Sequence, residues 1–335
     1  MNHLFGLLIY LTLGSFCLVI PKAFAKANNS LDEIFDLSLE ELLQVKVTTA
    51  SKFEESIQDA HASISIVTKE QIAQYGGTYL HEILERIVSV NSVNGVMTTI
   101  STRASTPWPS LVHHLALLNG RPFGNIAGGH NLYSSVPLSS IERIEYIRGP
   151  GSVLYGTNAY YGVFNVITKK SAKNGWQIDQ KLLFGSFNNQ TLDGSYRYKQ
   201  GELNLNLSML YSDVGGWDAV MFDPNSMKNY SRKAFQTEKT LHLELQYHNF
   251  SVSHYNSHQT RFGNFWDAPE ENYIPWFKNH PAKLTDIGYT YHFNKNWRLE
   301  NHISLIDKRV EWDSNGVADS LIILKANIET RLLEL

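Results

Sequence analysis

Residues 141–170 read IERIEYIRGPGSVLYGTNAYYGVFNVITKK. Two apolar runs with strand-like alternation flank a segment holding Gly149, Pro150, Gly151 and Gly156, and four charges, Glu142, Arg143, Glu145 and Arg148, sit on the first run. Such a segment is either a cradle for an anion or a tight bend inside a larger body. A strand, a Gly-Pro-Gly and a short helix can aim backbone N–H groups at a phosphate. The glycine spacing, however, is not G-x-G-x-x-G, and no GK[ST] follows. The bend accounts for more of the residues. Pro150 removes a donor and interrupts the strand, Gly149 and Gly151 permit a close turn, and Ser152–Tyr155 suffices for one helical turn that Gly156 ends. GVFNVITKK then returns as a strand, and the charges suit contact with a surrounding wall.

Working outward, the N-terminus defines the compartment. Leu4 to Ile20 is almost wholly apolar and leads into PKAFA, whose Ala23-Phe24-Ala25 is a small-x-small cleavage pattern, so residues 1–25 read as a secretory signal peptide. Cys17, the single cysteine, lies inside that segment, which leaves the mature chain without thiol or disulfide chemistry. A net charge of −3 asks for neither nucleic acid nor an anionic surface. Aromatics make up 12% of the chain and charged residues only 18%, a balance that suits wet β-strands better than a helical cytosolic enzyme. No triad, paired-carboxylate cleft or nucleophile elbow stands out, and no enzymatic activity is expected.

Residues 26–55 form a polar lead-in. ASISIVTKEQIAQYGGTYLHEILERIVSV then reads as strand, turn and helix, with Leu80, Ile83, Leu84 and Ile87 on one helical face. HHLALLNGRPF is a strand ending in the reversal signal Asn119-Gly120. In VPLSSIERIEYI, Ser139 and Glu142 stand at capping-box spacing. Residues 56–172 are thus expected to be a small α/β domain.

Beyond Lys170 the texture changes. In ELNLNLSMLYSD, Leu203, Leu205, Leu207, Met209 and Tyr211 alternate with Asn204, Asn206, Ser208, Leu210 and Ser212. KTLHLELQYHN, FSVSHYNS, TDIGYTYHF, WRLENHISLI and SLIILKANIETRL continue in the same manner. Segments of about ten residues with one apolar and one polar face mark transmembrane β-barrel strands. Tight connections at Lys199–Glu202, His248–Phe250 and Asn294–Trp297 alternate with long ones, 214–237 and 258–282, as expected for the two rims of such a barrel. Residues 173–335 hold about eight such strands, and a barrel of eight has an interior just wide enough for side chains. It cannot enclose a domain of the size that precedes it. The pattern gives a small α/β domain followed by antiparallel transmembrane β-barrel strands.

The opening stretch also resembles the plug-domain signature of TonB-dependent outer-membrane receptors, close to IERIEVIRGPxSxLYGxxAxGGVINIITK. The plug motif runs through Glu142, Arg143, Glu145, Arg148, Gly149, Pro150, Tyr155, Gly156 and Gly162. SISIVTKEQI, LHEILERIVSVN and LALLNGRPF follow the family's order. The chain departs from it where Val88-Ser89-Val90 replaces a Pro-Gly pair, at Ile100-Ser101-Thr102-Arg103-Ala104, which lacks the family's glycine, and at RLLEL, which lacks a terminal aromatic.

The resemblance implies the fold class of a small α/β plug domain followed by antiparallel transmembrane β-barrel strands, with the barrel incomplete in this chain. It also implies a receptor, or its N-terminal part truncated after the first strands, that imports a scarce nutrient of the iron-siderophore, haem or cobalamin class across the bacterial outer membrane. The alternative is a non-transporting, vestigial surface barrel. Implied partners are TonB with its inner-membrane energising complex, outer-membrane lipid and a small-molecule metal chelate, with no nucleic acid. No cofactor is expected apart from iron or cobalt carried within the cargo. Strand addition to TonB makes loose sequence demands, and Val45, Lys46, Val47, Thr48, Thr49 and Ala50 are the candidate TonB box, with a first plug strand as the other reading. Arg103 and Arg148 resemble plug arginines that pair with wall carboxylates. Candidate ligand contacts are Arg103, Trp108, Phe123 and His130 in the plug and Trp217 and Trp266 in the long connections. His242 and His248, and likewise His254 and His258, are expected on polar or lumen-facing positions, without metal-ligand spacing.

Overall fold

The computed structural model describes residues 46–47, 49, 55–56, 62–94, 98–102, 114–123, 135–156, 159–223, 227–262, 277–294, 297–314 and 317–334. The signal-peptide reading therefore lies outside the described residues. After two-residue strands β1 (Lys46–Val47) and β2 (Glu55–Ser56), the plug begins with β3 (Ser63–Thr68) and α1 (Lys69–Tyr75). Thr68 caps α1 reciprocally: its hydroxyl accepts the Gln71 N–H at 3.4 Å, and Gln71 Oε1 accepts the Thr68 N–H at 3.0 Å. The helix expected through Ile87 is shorter. α2 (Leu80–Leu84) gives way to tighter i→i+3 bonds from Arg86 to Ile83 and Ile87 to Leu84, and Ser89 at φ 69 reverses the chain. Leu80, Ile83, Leu84 and Ile87 are nevertheless all buried.

A two-stranded ribbon, β4 (Val90–Asn94) with β5 (Thr98–Thr102), precedes β6 (His114–Leu118) and β7 (Arg121–Pro122). Between β6 and β7, Asn119 at φ 50 and Gly120 at φ 77 form the reversal that the Asn-Gly dipeptide predicts. β8 (Ile141–Arg148), α3 (Ser152–Tyr155) and β9 (Gly162–Thr168) complete the domain, and the sheet order is β3-β8-β9-β6-β7. β6 runs parallel to β9 and is buried along its whole length, which explains the unbroken apolar run from Leu115 to Leu118.

A register shift between Ile141 and Arg143 puts Ile141 and Ile144, three apart, into the same core with Tyr146, Phe164 and Val166. The opposite face of the sheet carries a smaller apolar cluster of Leu115, Leu117, Ile147, Ala159 and Val163. The capping box expected at Ser139 and Glu142 does not form. A 3₁₀ turn, Leu138–Ser140, leads straight into β8, because a strand pairing on both edges outbids a helix here.

The wall consists of β10 (Gly175–Gly185), β11 (Asn189–Gln200), β12 (Leu203–Asp223), β13 (Lys228–Tyr247), β14 (Phe250–Phe262), β15 (Phe277–His292), β16 (Trp297–Ser314) and β17 (Val317–Glu334). Each pairs antiparallel with the next, and among the described residues the sheet does not close on itself. The long connections are shorter than the sequence suggests. Residues 214–237 are mostly strand: β12 and β13 continue their ladder past a bulge between Val214 and Trp217, and 263–276 is what separates β14 from β15. Gly215 and Gly216 break the alternation that marks a strand, so the outer half of this hairpin is not visible as one. At 21 and 20 residues, β12 and β13 are about twice the length needed to cross a bilayer.

Candidate functional site

The wall is polar inside and apolar outside. Side chains facing the plug include buried Asp193, Arg197, Asn206, Glu238, Thr240 and His242, while Trp176, Ile178, Phe184, Leu243, Ile287 and Ile303 are exposed on the opposite face. Polar-in, apolar-out alternation is what a strand needs when its outer face meets lipid. Aromatics gather at the tight turns: Trp176 lies 5.0 Å from the Tyr198 ring, Tyr291 lies 4.9 Å from Phe293, and Tyr247, Tyr289 and Trp297 are exposed beside them. They form a girdle at one membrane interface. Among the described residues no helix is long and apolar enough to cross a membrane, so the strands do the crossing.

The plug meets this wall through hydrogen bonds and an apolar patch. Ser139 donates its backbone N–H at 3.1 Å and its hydroxyl to Asp193 on β11. Asn119 Nδ2 donates at 2.7 Å, and Thr168 Oγ1 at 3.0 Å, to Glu244 on β13, which Asn206 also reaches at 2.6 Å. Arg121 stands 3.9 Å from Asp286 on β15, whose carboxylate also binds His302 at 2.8 Å and Ser304. Lys181 donates to the Gly77 carbonyl, Tyr79 shares a 2.7 Å bond with Ser212, and Tyr255 donates to Ser135. An apolar patch also crosses the seam: Tyr255, Leu284 and Ile306 on β14, β15 and β16 pack with the plug's core, and Phe123 meets Tyr255 edge-to-face at 4.4 Å.

The 149–156 turn is not an anion cradle. The N–H groups of Gly149 and Gly151 go to the carbonyls of Tyr161 and Ala159, and those of Leu154, Tyr155 and Gly156 go to Gly151 and Ser152. A Cβ on Gly162 would stand 2.6 Å from the Ile147 carbonyl oxygen, so the returning strand can pass only as glycine. The charges on β8 find their described partners inside the plug rather than on the wall: Glu142 with Lys69 at 2.6 Å, Arg143 with Glu145 at 2.7 Å, and Arg148 with Ser65 at 2.6 Å.

Of the candidate ligand contacts, Arg103, Trp108, His130 and Trp266 lie outside the described residues, and Trp217 falls on β12 at the bulge. Phe123 is buried and packs the seam. In the candidate TonB box, Val45, Thr48 and Ala50 lie outside the described residues, Lys46 and Val47 are strand, and Thr49 is fully buried. The histidines separate: His242, opposite Tyr255, faces the plug, whereas His254, opposite Leu243, is on the outward face, because strand parity reverses between the two positions. Among the described residues no group of three potential ligands could hold a metal ion. The sequence marks Asn119 only as a turn residue, and nothing in it singles out Thr168, Asp193, Glu244 or Asp286 as contacts between plug and wall. The strand acids do share the parity of the buried polar face.

Residues 56–163 match the TonB-dependent receptor plug domain family. This stretch is a TonB-dependent receptor plug domain. The chain is 39% identical over 127 residues to the vitamin B12 transporter BtuB of Photobacterium profundum, a match covering 37% of this chain and 20% of that protein. The siderophore receptor PiuA from Acinetobacter baumannii superposes with a TM-score of 0.60 at 14% identity, covering 88% of this chain and 45% of that one. The closed form of the ferric-catecholate import receptor Fiu from E. coli K12 gives 0.60 at 14% identity, covering 86% and 45%. At such identities the likeness concerns the fold alone. The chain therefore spans under half the length of these relatives. TonB-dependent receptors are outer-membrane proteins, which agrees with the outward-facing aromatics of the wall.

Proposed function

We propose that this chain serves TonB-driven import of a metal-chelate nutrient, of the siderophore, haem or cobalamin class, across the outer membrane. The observation that carries the reading is the seam: a folded plug covers the inner face of a lipid-facing wall and is held there by a set of hydrogen bonds around one apolar patch. Such bonds exchange readily with water, so the polar part of the seam can shift at less cost than the apolar patch. The plug-matched BtuB relative is named for vitamin B12 and the fold relatives for siderophores, which supports a chelate as cargo. Energy enters where TonB adds a strand to residues 45–50, a pairing made by backbone groups.

The test is uptake by a deletion strain carrying the gene, with labelled cyanocobalamin, haem and ferric chelates supplied one at a time. One of these accumulates faster than in the empty strain, and TonB is required. If none does, the reading falls. Surface binding without accumulation would point instead to a non-transporting surface protein.

A further inference from the structure

Thr49 is held at every polar atom it has. Its N–H donates to Glu145 Oε2 at 3.0 Å, its hydroxyl donates to the same oxygen, its Oγ1 accepts Asn165 Nδ2 at 2.9 Å, and its carbonyl accepts the Tyr155 hydroxyl at 2.8 Å. Glu145 and Asn165 face each other across β8 and β9 and are 0% and 1% exposed. They form the polar end of the face whose apolar part is Leu117, Ile147 and Val163. The docking continues past this pair. Asn165 Oδ1 accepts the Gly120 N–H at 2.9 Å, and the neighbouring Asn119 binds Glu244 on the wall.

The geometry points to Thr49 as a release pin that links the N-terminal segment to the plug's anchorage on the wall. Withdrawing Thr49 removes an acceptor from Asn165, and with it the constraint that aims Asn165 Oδ1 at Gly120. The turn that carries Asn119 then loses one of its supports from inside the plug, the bonds of Asn119 to Val166 and Thr168 remaining. Withdrawal leaves no bare buried charge, because Arg143 Nε stays 2.7 Å from Glu145. The pin is therefore reversible. Its use in import rests on the reading of residues 45–50 as the strand-adding segment, but the coupling between Thr49 and Gly120 does not.

Amide hydrogen exchange on the full chain in detergent micelles tests the coupling. In Thr49→Val, which keeps the shape and removes the hydroxyl, the Gly120 N–H exchanges at least tenfold faster than in the wild type, while those of Ile144 and Val166 do not change. Glu145→Gln, which keeps the outline of the side chain, gives the same acceleration at Thr49 and Gly120. A Gly120 rate within twofold of wild type in either folded variant overturns the proposal. The strand-adding reading is tested apart from this by Val47→Pro, which alters none of the residues that bond Thr49, with uptake as readout. Uptake surviving that change sinks the strand-adding reading, whatever the exchange rates show.

Discussion

Ser139 places both its backbone N–H and its hydroxyl on one carboxylate, Asp193, which is 1% exposed on the wall. A carboxylate so thoroughly buried is tolerable only while those donors are present. Asp193→Ala is expected to cost about 2–3 kcal/mol in plug docking and Ser139→Ala about 1–2 kcal/mol. Both are read from the protease sensitivity of the plug in the assembled protein. The double variant should fall short of the sum by about 1 kcal/mol; simple additivity would mean that the two residues do not act as a pair.

Asn119 has two separable tasks, a left-handed backbone at φ 50 and side-chain bonds to Glu244 on the wall and Thr168 in the plug. Asn119→Gly keeps the first and removes the second, while Asn119→Ala removes both. The glycine variant should loosen the plug by about 1–2 kcal/mol and the alanine variant by about 1 kcal/mol more. Equal losses would show that the side-chain bonds alone matter, and not the left-handed backbone.

Gly162 leaves no room for a methyl group against the Ile147 carbonyl and the Tyr146 ring. Gly162→Ala should therefore part β8 from β9 and cost roughly 1–3 kcal/mol. The expected readout is a plug digested at low protease while the wall stays intact. An undisturbed plug would mean that the strands give way at no cost.

Leu243 faces outward, 44% exposed, five residues inside the rim turn at His248. Leu243→Arg should cost about 2–4 kcal/mol of wall stability if that face meets the bilayer centre. Urea unfolding in lipid vesicles measures it, with Leu243→Phe as the near-neutral comparison. A neutral arginine would remove the lipid from that face.

Much of this architecture is legible in the residues because two periods are clean. The alternation in LNLNLSMLYSD assigns each side chain of inner β12 to one face, and the plug motif marks a bend that only small residues can make. Legibility ends where a local rule meets a tertiary one. Ser139 and Glu142 have capping spacing, yet Asp193 claims Ser139 and Lys69 claims Glu142. Val214-Gly215-Gly216-Trp217 reads as a loop, yet a bulge absorbs it and the ladder resumes. The seam acids are hidden for another reason: on a wet inner face an acid bound to the plug looks like an acid facing water. His254 shows the same limit in reverse, a polar residue on the outer face that bonds to Thr285 across the ladder at 2.9 Å.

The strict two-residue alternation of the wall has a consequence for how its genes can change. One residue inserted into β11 ahead of Asp193 would turn that carboxylate into the lipid and bring Leu192 to face Ser139. Two inserted residues would restore the facing but carry Asp193 about 7 Å along the strand, out of reach of its partner. Length variation within these strands is thus forbidden by address as well as by polarity, and the hairpin tips are left as the places where the wall can grow.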